Sequence, residues 1–105
     1  LHRKLRGLSL MNMHNPPHPG EFIREVYLEP FKVSYRCVAQ KLNVSPSTFN
    51  RLVKGQSNVS SEMALRLSKT LGRSPESWLA MQSNYNLWFA RQKVNLEKVE
   101  KLAIA

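Results

Sequence analysis

The sequence predicts an all-α domain of five helices built around a helix-turn-helix, and three observations carry that prediction. Apolar residues recur at helical spacing through five separate segments, each able to lay one stripe on a core. Four of the segments open on a serine suited to the N-cap, at Ser34, Ser45, Ser60 and Ser74. Two continue with a proline, Pro46 and Pro75, at the first helical position, where a missing N–H costs nothing. Between Glu29 and Glu62 there is no acidic residue, against five basic ones: Lys32, Arg36, Lys41, Arg51 and Lys54.

In chain order, residues 1–17 are expected to form a disordered extension. LHRKLRGLSL opens on Leu and precedes two candidate start residues, Met11 and Met13, so it reads as upstream sequence. It is too short in apolar residues for a signal peptide, and a membrane span would need about 20 of them. His14 and His18 flank two prolines, but no third or fourth ligand lies near, so no metal site and no cofactor is expected. The domain proper spans residues 18–92. Its first helix should begin near Gly20, with Phe22, Ile23, Val26 and Tyr27 inward, Glu21 at the positive N-terminal end and Pro30 as its stop.

Residues 34–55 are the predicted helix-turn-helix. Tyr35, Val38, Ala39 and Leu42 form one helical stripe, Asn43 suits the left-handed exit, and Val44 anchors the turn. The second helix buries Phe49, Leu52 and Val53 and presents Ser47, Asn50, Arg51 and Lys54 on the other side. A solvated face normally mixes charge signs; this one has no carboxylate, which points to a phosphate backbone. The loop Gln56 to Asn58 could add hydrogen bonds to phosphate or be an ordinary polar loop.

A fourth helix turns Ala64, Leu67 and Leu71 inward and ends at Gly72; a fifth runs over about residues 75–92. Trp78, Leu79, Met81, Tyr85, Trp88 and Phe89 give this last helix more apolar surface than one core contact uses, and Leu87 widens it further. A second copy of the same helix would cover the excess, making these residues a dimer interface. Alternatively, the C-terminal segment 93–105 covers it within the chain. Val94, Leu96, Val99, Leu102 and Ile104 would then pack from a short last helix paired by Glu97 and Lys101.

Composition narrows the function. The net charge is +9; Arg3, Lys4 and Arg6 supply three of it, and the remaining +6 still calls for a polyanionic partner. There is no Asp, all three His precede residue 19, and no carboxylate pair lies near a histidine, so catalysis has neither a base nor a ligand set and no small-molecule substrate is expected. Cys37, the one cysteine, allows no intrachain disulfide and fits a cytoplasmic protein.

The strings HPGEFIREVYLEP, SYRCVAQKLNVSPSTFNRLVKG and SSEMALRLSKTLGRSPESWLAMQSNYNLWFA resemble the HigA-type antitoxins of bacterial toxin–antitoxin modules, a branch of the lambda-repressor-like (XRE) helix-turn-helix class. The resemblance covers about residues 18 to 92. It implies a five-helix domain that dimerises, binds double-stranded operator DNA of its own operon, and neutralises a HigB-type, RelE-like mRNA endonuclease. A stand-alone repressor without a toxin would look almost the same. Carried over by position, Ser45, Pro46, Ser47, Asn50 and Arg51 are implied to face bases, and Tyr35, Gln40, Lys54 and Ser57 to contact the DNA backbone. Two positions depart from the family pattern: Pro46 stands where a hydrogen-bonding side chain is frequent, and Asn86 where Asp is. The toxin would be basic, and Glu21, Glu25 and Glu29, spaced i, i+4 and i+8 on the first helix, are the expected contact; an ordinary solvated face is the alternative.

Overall fold

A computed structural model describes residues 15–104. The expected disorder of residues 1–14, and His14 with it, lies outside the described residues. Asn15 to Pro17, assigned on sequence to the same extension, are instead laid down before the first helix, Pro16 and Pro17 half-buried and facing residues of the last helix. Proline enters such a packed position with φ already fixed, so ordering it costs little backbone entropy.

Helix α1 is a continuous helical run in three parts: Pro19–Ile23, a π-helical segment Arg24–Leu28, and Glu29–Phe31. Pro30 does not stop it. Pro30 has no N–H to return to residue 26, and the widened turn before it, closed by Glu29 N–H on the Arg24 carbonyl, accommodates the ring. The helix ends instead at Lys32, whose left-handed φ of 54° allows Val33 N–H to reach the Leu28 carbonyl at 3.0 Å. The π segment also changes which residues face inward. Ile23 and Leu28, five apart, are both buried, whereas Val26, assigned to the inner stripe by 3.6-residue spacing, is 41% exposed.

Helices α2 (Tyr35–Leu42) and α3 (Pro46–Val53) follow, joined by a three-residue turn. Ser34 Oγ caps α2 by accepting from Cys37 N–H at 3.1 Å. Asn43, at φ 59°, ends it, and Val44 N–H bonds the Ala39 carbonyl at 3.0 Å. Gly55, at φ 77°, closes α3 in the same manner, with Gln56 N–H on Arg51 O at 2.9 Å. Helix α4 (Ser61–Leu71) is capped by Ser60, and α5 (Pro75–Lys93) by Ser74. Arg66 on α4 holds the turn of the helix-turn-helix from behind. Its Nη1 donates to the carbonyls of Leu42 (2.8 Å) and Asn43 (3.2 Å), while Nε and Nη2 grip Glu62.

The core gathers one stripe from each helix. Ile23, Leu28, Val38, Ala39, Leu42, Phe49, Leu52, Val53, Val59, Ala64, Leu67 and Trp78 are all buried in it. Trp78, read from sequence as part of a dimer interface, is fully buried in its own chain and has no surface to offer another. Its indole N–H donates to the Gly72 carbonyl at 2.9 Å, and its ring packs with Phe22. Leu79 and Met81 also pack on this core and are half-buried. The apolar surface left on α5 is its second half: Tyr85, Trp88 and Phe89, half-buried, and Leu87, exposed.

Residues 94–104 form no helix. One turn survives, with Glu97 N–H on Asn95 Oδ1 and Val99 N–H on Leu96 O, and Val94, Leu96, Val99, Leu102 and Ile104 are 56% to 80% exposed. The segment therefore does not cover α5 within the chain. Isolated helices of this length are marginal in water without a packed face.

Candidate nucleic-acid interface

The outward side of α3 is set by its cap and its core contacts. Ser45 Oγ accepts from Thr48 N–H at 3.1 Å and donates to Thr48 Oγ1 at 2.8 Å, so its proton is already used in holding the first turn. With Phe49, Leu52 and Val53 buried, the helix leaves Pro46, Ser47, Arg51 and Lys54 exposed and Asn50 half-buried. The ion pairs between described residues, Arg24 with Glu25 and Glu29 and Arg66 with Glu62, use none of the five cations between Glu29 and Glu62. Those five are exposed, so their field reaches solvent.

The remaining predicted contacts do not all fall together. Gln40 joins Ser45 and Pro46 in a shallow concavity between α2 and α3, together with Arg36, a cation the positional carry-over left out. Tyr35 stands at the start of α2, its ring edge-on to Phe49 at 6.3 Å and half-buried. Lys54 lies at the opposite end of α3, on a groove shared with His18, Glu21, Arg24, Tyr85 and Phe89. Ser57 is half-buried in the following loop, where its backbone faces His18.

Two residues to which sequence reading assigned no structural role hold this interface from behind. Gln82, 4% exposed, accepts from Val59 N–H at 2.8 Å and donates to Asn58 Oδ1 and Asn86 Oδ1. It thereby fixes the loop leaving α3 onto α5, and Asn86 provides the acceptor oxygen that a carboxylate there would equally give. An amide on the inward stripe between Trp78 and Tyr85 was the available signal. His18, 5% exposed, caps α1: its Nδ1 accepts from Gly20 N–H at 2.9 Å and its ring stands edge-on to Tyr85 at 4.9 Å. Burial holds its pKa below the ordinary histidine value, with the Ser57 backbone opposing that in part. The position just before Pro19 and Gly20, where a helix needs a cap acceptor, was the signal there.

The acidic stripe of α1 is modified by its own helix. Arg24 lies 3.6 Å from Glu25 and 3.5 Å from Glu29, so part of the negative charge expected for a basic partner is met locally. Among the described residues no group of three or more His, Cys, Asp or Glu is placed to hold a metal ion, and no helix is long and apolar enough to cross a membrane.

The family model for helix-turn-helix, HTH_3, matches residues 24–78, from the π segment of α1 to the buried tryptophan of α5. The chain belongs to this helix-turn-helix family. Virulence-associated protein I of Dichelobacter nodosus is 44% identical over 75 residues, covering 71% of this chain and 69% of its own. Among solved structures, antitoxin GraA superposes with a TM-score of 0.78 at 36% identity, over 85% of this chain and 99% of GraA. GraA in complex with its operator gives 0.77 at 34% identity, over 90% and 97%. Pseudomonas aeruginosa antitoxin HigA with the higBA promoter gives 0.73 at 33%, over 85% and 99%. This HTH_3 protein is thus of the HigA and GraA type in fold, a DNA-binding class and not an enzyme class.

Proposed function

We propose that the protein is an antitoxin and autorepressor that binds the operator of its own operon as a homodimer in the cytoplasm and neutralises a HigB-type toxin. The observation that carries the DNA-binding part is the outward face of α3: exposed, capped, cationic and free of carboxylate. The complexes of GraA with its operator and of HigA with the higBA promoter, on the same fold, support it.

Two α3 helices, brought together through the second half of α5 around Tyr85, Leu87, Trp88 and Phe89, would enter successive major grooves. The half-sites would lie roughly 34 to 36 Å apart, one turn of B-DNA. Arg51 is then the residue for bidentate contact with guanine, and Ser47 and Asn50 supply neutral hydrogen bonds. Pro46 reads shape or a thymine methyl. Lys54, at the far end, meets phosphate, as do Tyr35, Gln40 and Ser57. Toxin contact is assigned to α1 at Glu21, Glu25 and Glu29, with the charge of the last two tempered by Arg24.

An operator shift assay on the DNA upstream of the gene tests this reading. Arg51→Ala should cost about 1 to 3 kcal/mol on the operator and much less on scrambled duplex. Lys54→Ala should weaken both alike and reduce the salt slope by about one. Absence of binding to the upstream DNA would refute autorepression. Co-expression with the neighbouring open reading frame, followed by pull-down, separates an antitoxin from a repressor without a toxin.

A further inference from the structure

His18 sits where three parts of the domain meet. Its ring caps α1 through Nδ1, stands edge-on to Tyr85 of α5, and lies against Gly55 at the end of α3, where an added Cβ would come within 3.7 Å of His18 Cγ. Because Nδ1 accepts from Gly20 N–H, the single proton of the neutral ring is on Nε2, enclosed in the protein. A doubly protonated imidazole has no acceptor left. It would turn the cap into two facing donors and drive the ring from its place between α5 and Gly55.

We propose that His18 is a positioning residue of the operator-reading site: its neutral ring holds the C-terminal end of α3 against α5, and protonation releases that hold and weakens operator binding. The inference rests on the operator-binding reading above. Among the described residues, the charged and titratable groups that line one groove with His18 are Glu21 and Arg24 from α1, Lys54 at the end of α3 and Tyr85 from α5. Burial opposes a second proton, and the Ser57 backbone favours one in part. Linkage then fixes a sign: if protonation weakens operator binding, operator binding must make His18 harder to protonate by the same factor. A histidine that merely feels DNA phosphates behaves in the opposite way, since a nearby polyanion favours imidazolium.

The test uses the full chain carrying His2→Gln and His14→Gln, so that His18 is the one imidazole left. Affinity for a duplex of the upstream DNA is measured from pH 7.5 to 5.5 at fixed ionic strength, against a scrambled duplex, with circular dichroism monitoring the fold. The ring of His18 is titrated by NMR with and without the duplex. The expected result is an operator-specific loss of affinity toward pH 5.5 while the chain stays folded, roughly tenfold for each pK unit by which the free and bound proteins differ. Adding His18→Asn, which keeps a cap acceptor and does not titrate, should flatten the profile. A flat or rising profile toward acid, or an unaltered profile in the His18→Asn variant, overturns the proposal. Should that variant fail to fold, the NMR arm decides alone: a lower His18 pKa in the complex supports it, and an equal or higher one overturns it. No binding at pH 7.5 removes the operator reading itself, whereas binding with the wrong pH profile removes only the role of His18.

Discussion

Replacing Gly20 with Ala sets two effects of opposite sign against each other. In an isolated helix the change should stabilise by about 0.5 to 1 kcal/mol, because alanine loses less backbone freedom than glycine. Here the added Cβ would overlap the Leu52 carbonyl oxygen and stand 2.8 Å from Leu52 C and Val53 Cα, backbone atoms of α3 that cannot swing aside. Relief requires α1 and α3 to separate by roughly the shortfall from ordinary contact, more than about 1 Å. Overpacking of this kind costs about 1 to 3 kcal/mol and occasionally more. Separation also strips contacts from Ile23 and Leu52, both buried on that seam. The net expectation is a loss of about 2 kcal/mol. In urea, with a slope of about 1 to 3 kcal/mol/M, the midpoint should fall by about 1 M with the slope unchanged. Operator affinity should drop beyond what the unfolded fraction explains, because the end of the reading helix is displaced. If the alanine variant is as stable as the wild type, or more so, α1 does not approach α3 in this way, and the reason given for glycine in this place is wrong.

Three further outcomes follow from the packing. Gln82→Ala leaves the buried Val59 N–H without its acceptor and should cost about 2 kcal/mol, read as a fall of roughly 8 to 16 °C in thermal midpoint. Arg66→Ala removes the donors to the Leu42 and Asn43 carbonyls and should cost about 1 to 2 kcal/mol, discounted because the site is partly exposed, whereas Glu62→Gln should cost no more than about 0.5 kcal/mol; equal losses would show that the ion pair, not the carbonyl clamp, matters. For pH, the folded-state pKa of His18 is lowered, so the unfolded chain binds the proton first. The stability this gives is fully present above the ordinary histidine value near 6.5 and is lost as pH falls from there toward the folded-state value. Chemical denaturation at pH 7.5 and 5.5 should show that loss in the wild type and a smaller one in His18→Asn.

The helix-turn-helix was legible because each of its signals is local. A serine cap, a proline at the first helical position, an asparagine able to turn left-handed and a stripe of Val38, Ala39, Leu42, Phe49, Leu52 and Val53 all act within a few residues, and each is found where the spacing places it. What was misread depends on other elements. The inner face of α1 shifted because the period itself changes: a five-residue turn places Leu28, not Val26, beneath Ile23, and periodicity counted at 3.6 cannot register that. The apolar excess of α5 was real, but a stripe does not say which end meets the chain's own core. Trp78 went to the core because the Gly72 carbonyl accepts its indole N–H there. His18 offered no more than a histidine without further ligands, since its partners, Tyr85 and Gly55, are far along the chain.

The geometry also redistributes the proposed reading chemistry. Ser45 gives its proton to Thr48, and Pro46 has no donor or acceptor in its side chain, so two of the five positions carried over as base-facing bring little hydrogen-bond information. Asn50 is half-buried. Discrimination would then fall mainly on Arg51, with Ser47 beside it, and on the deformability of the DNA under the acid-free surface of α2 and α3. A reader with so few specific contacts has little tolerance for misplacement, because one bidentate pair is worth only about 1 to 3 kcal/mol and is lost with a small tilt of the helix. This gives a physical reason for the unusual density of restraint behind α3: Arg66 on the turn before it, Gly20 and His18 against its C-terminal end, and Gln82 on the loop that leaves it. These four groups lie away from the outward face of α3, so their substitution should alter operator affinity through the pose of α3, leaving the identity of the preferred base at the Arg51 position unchanged.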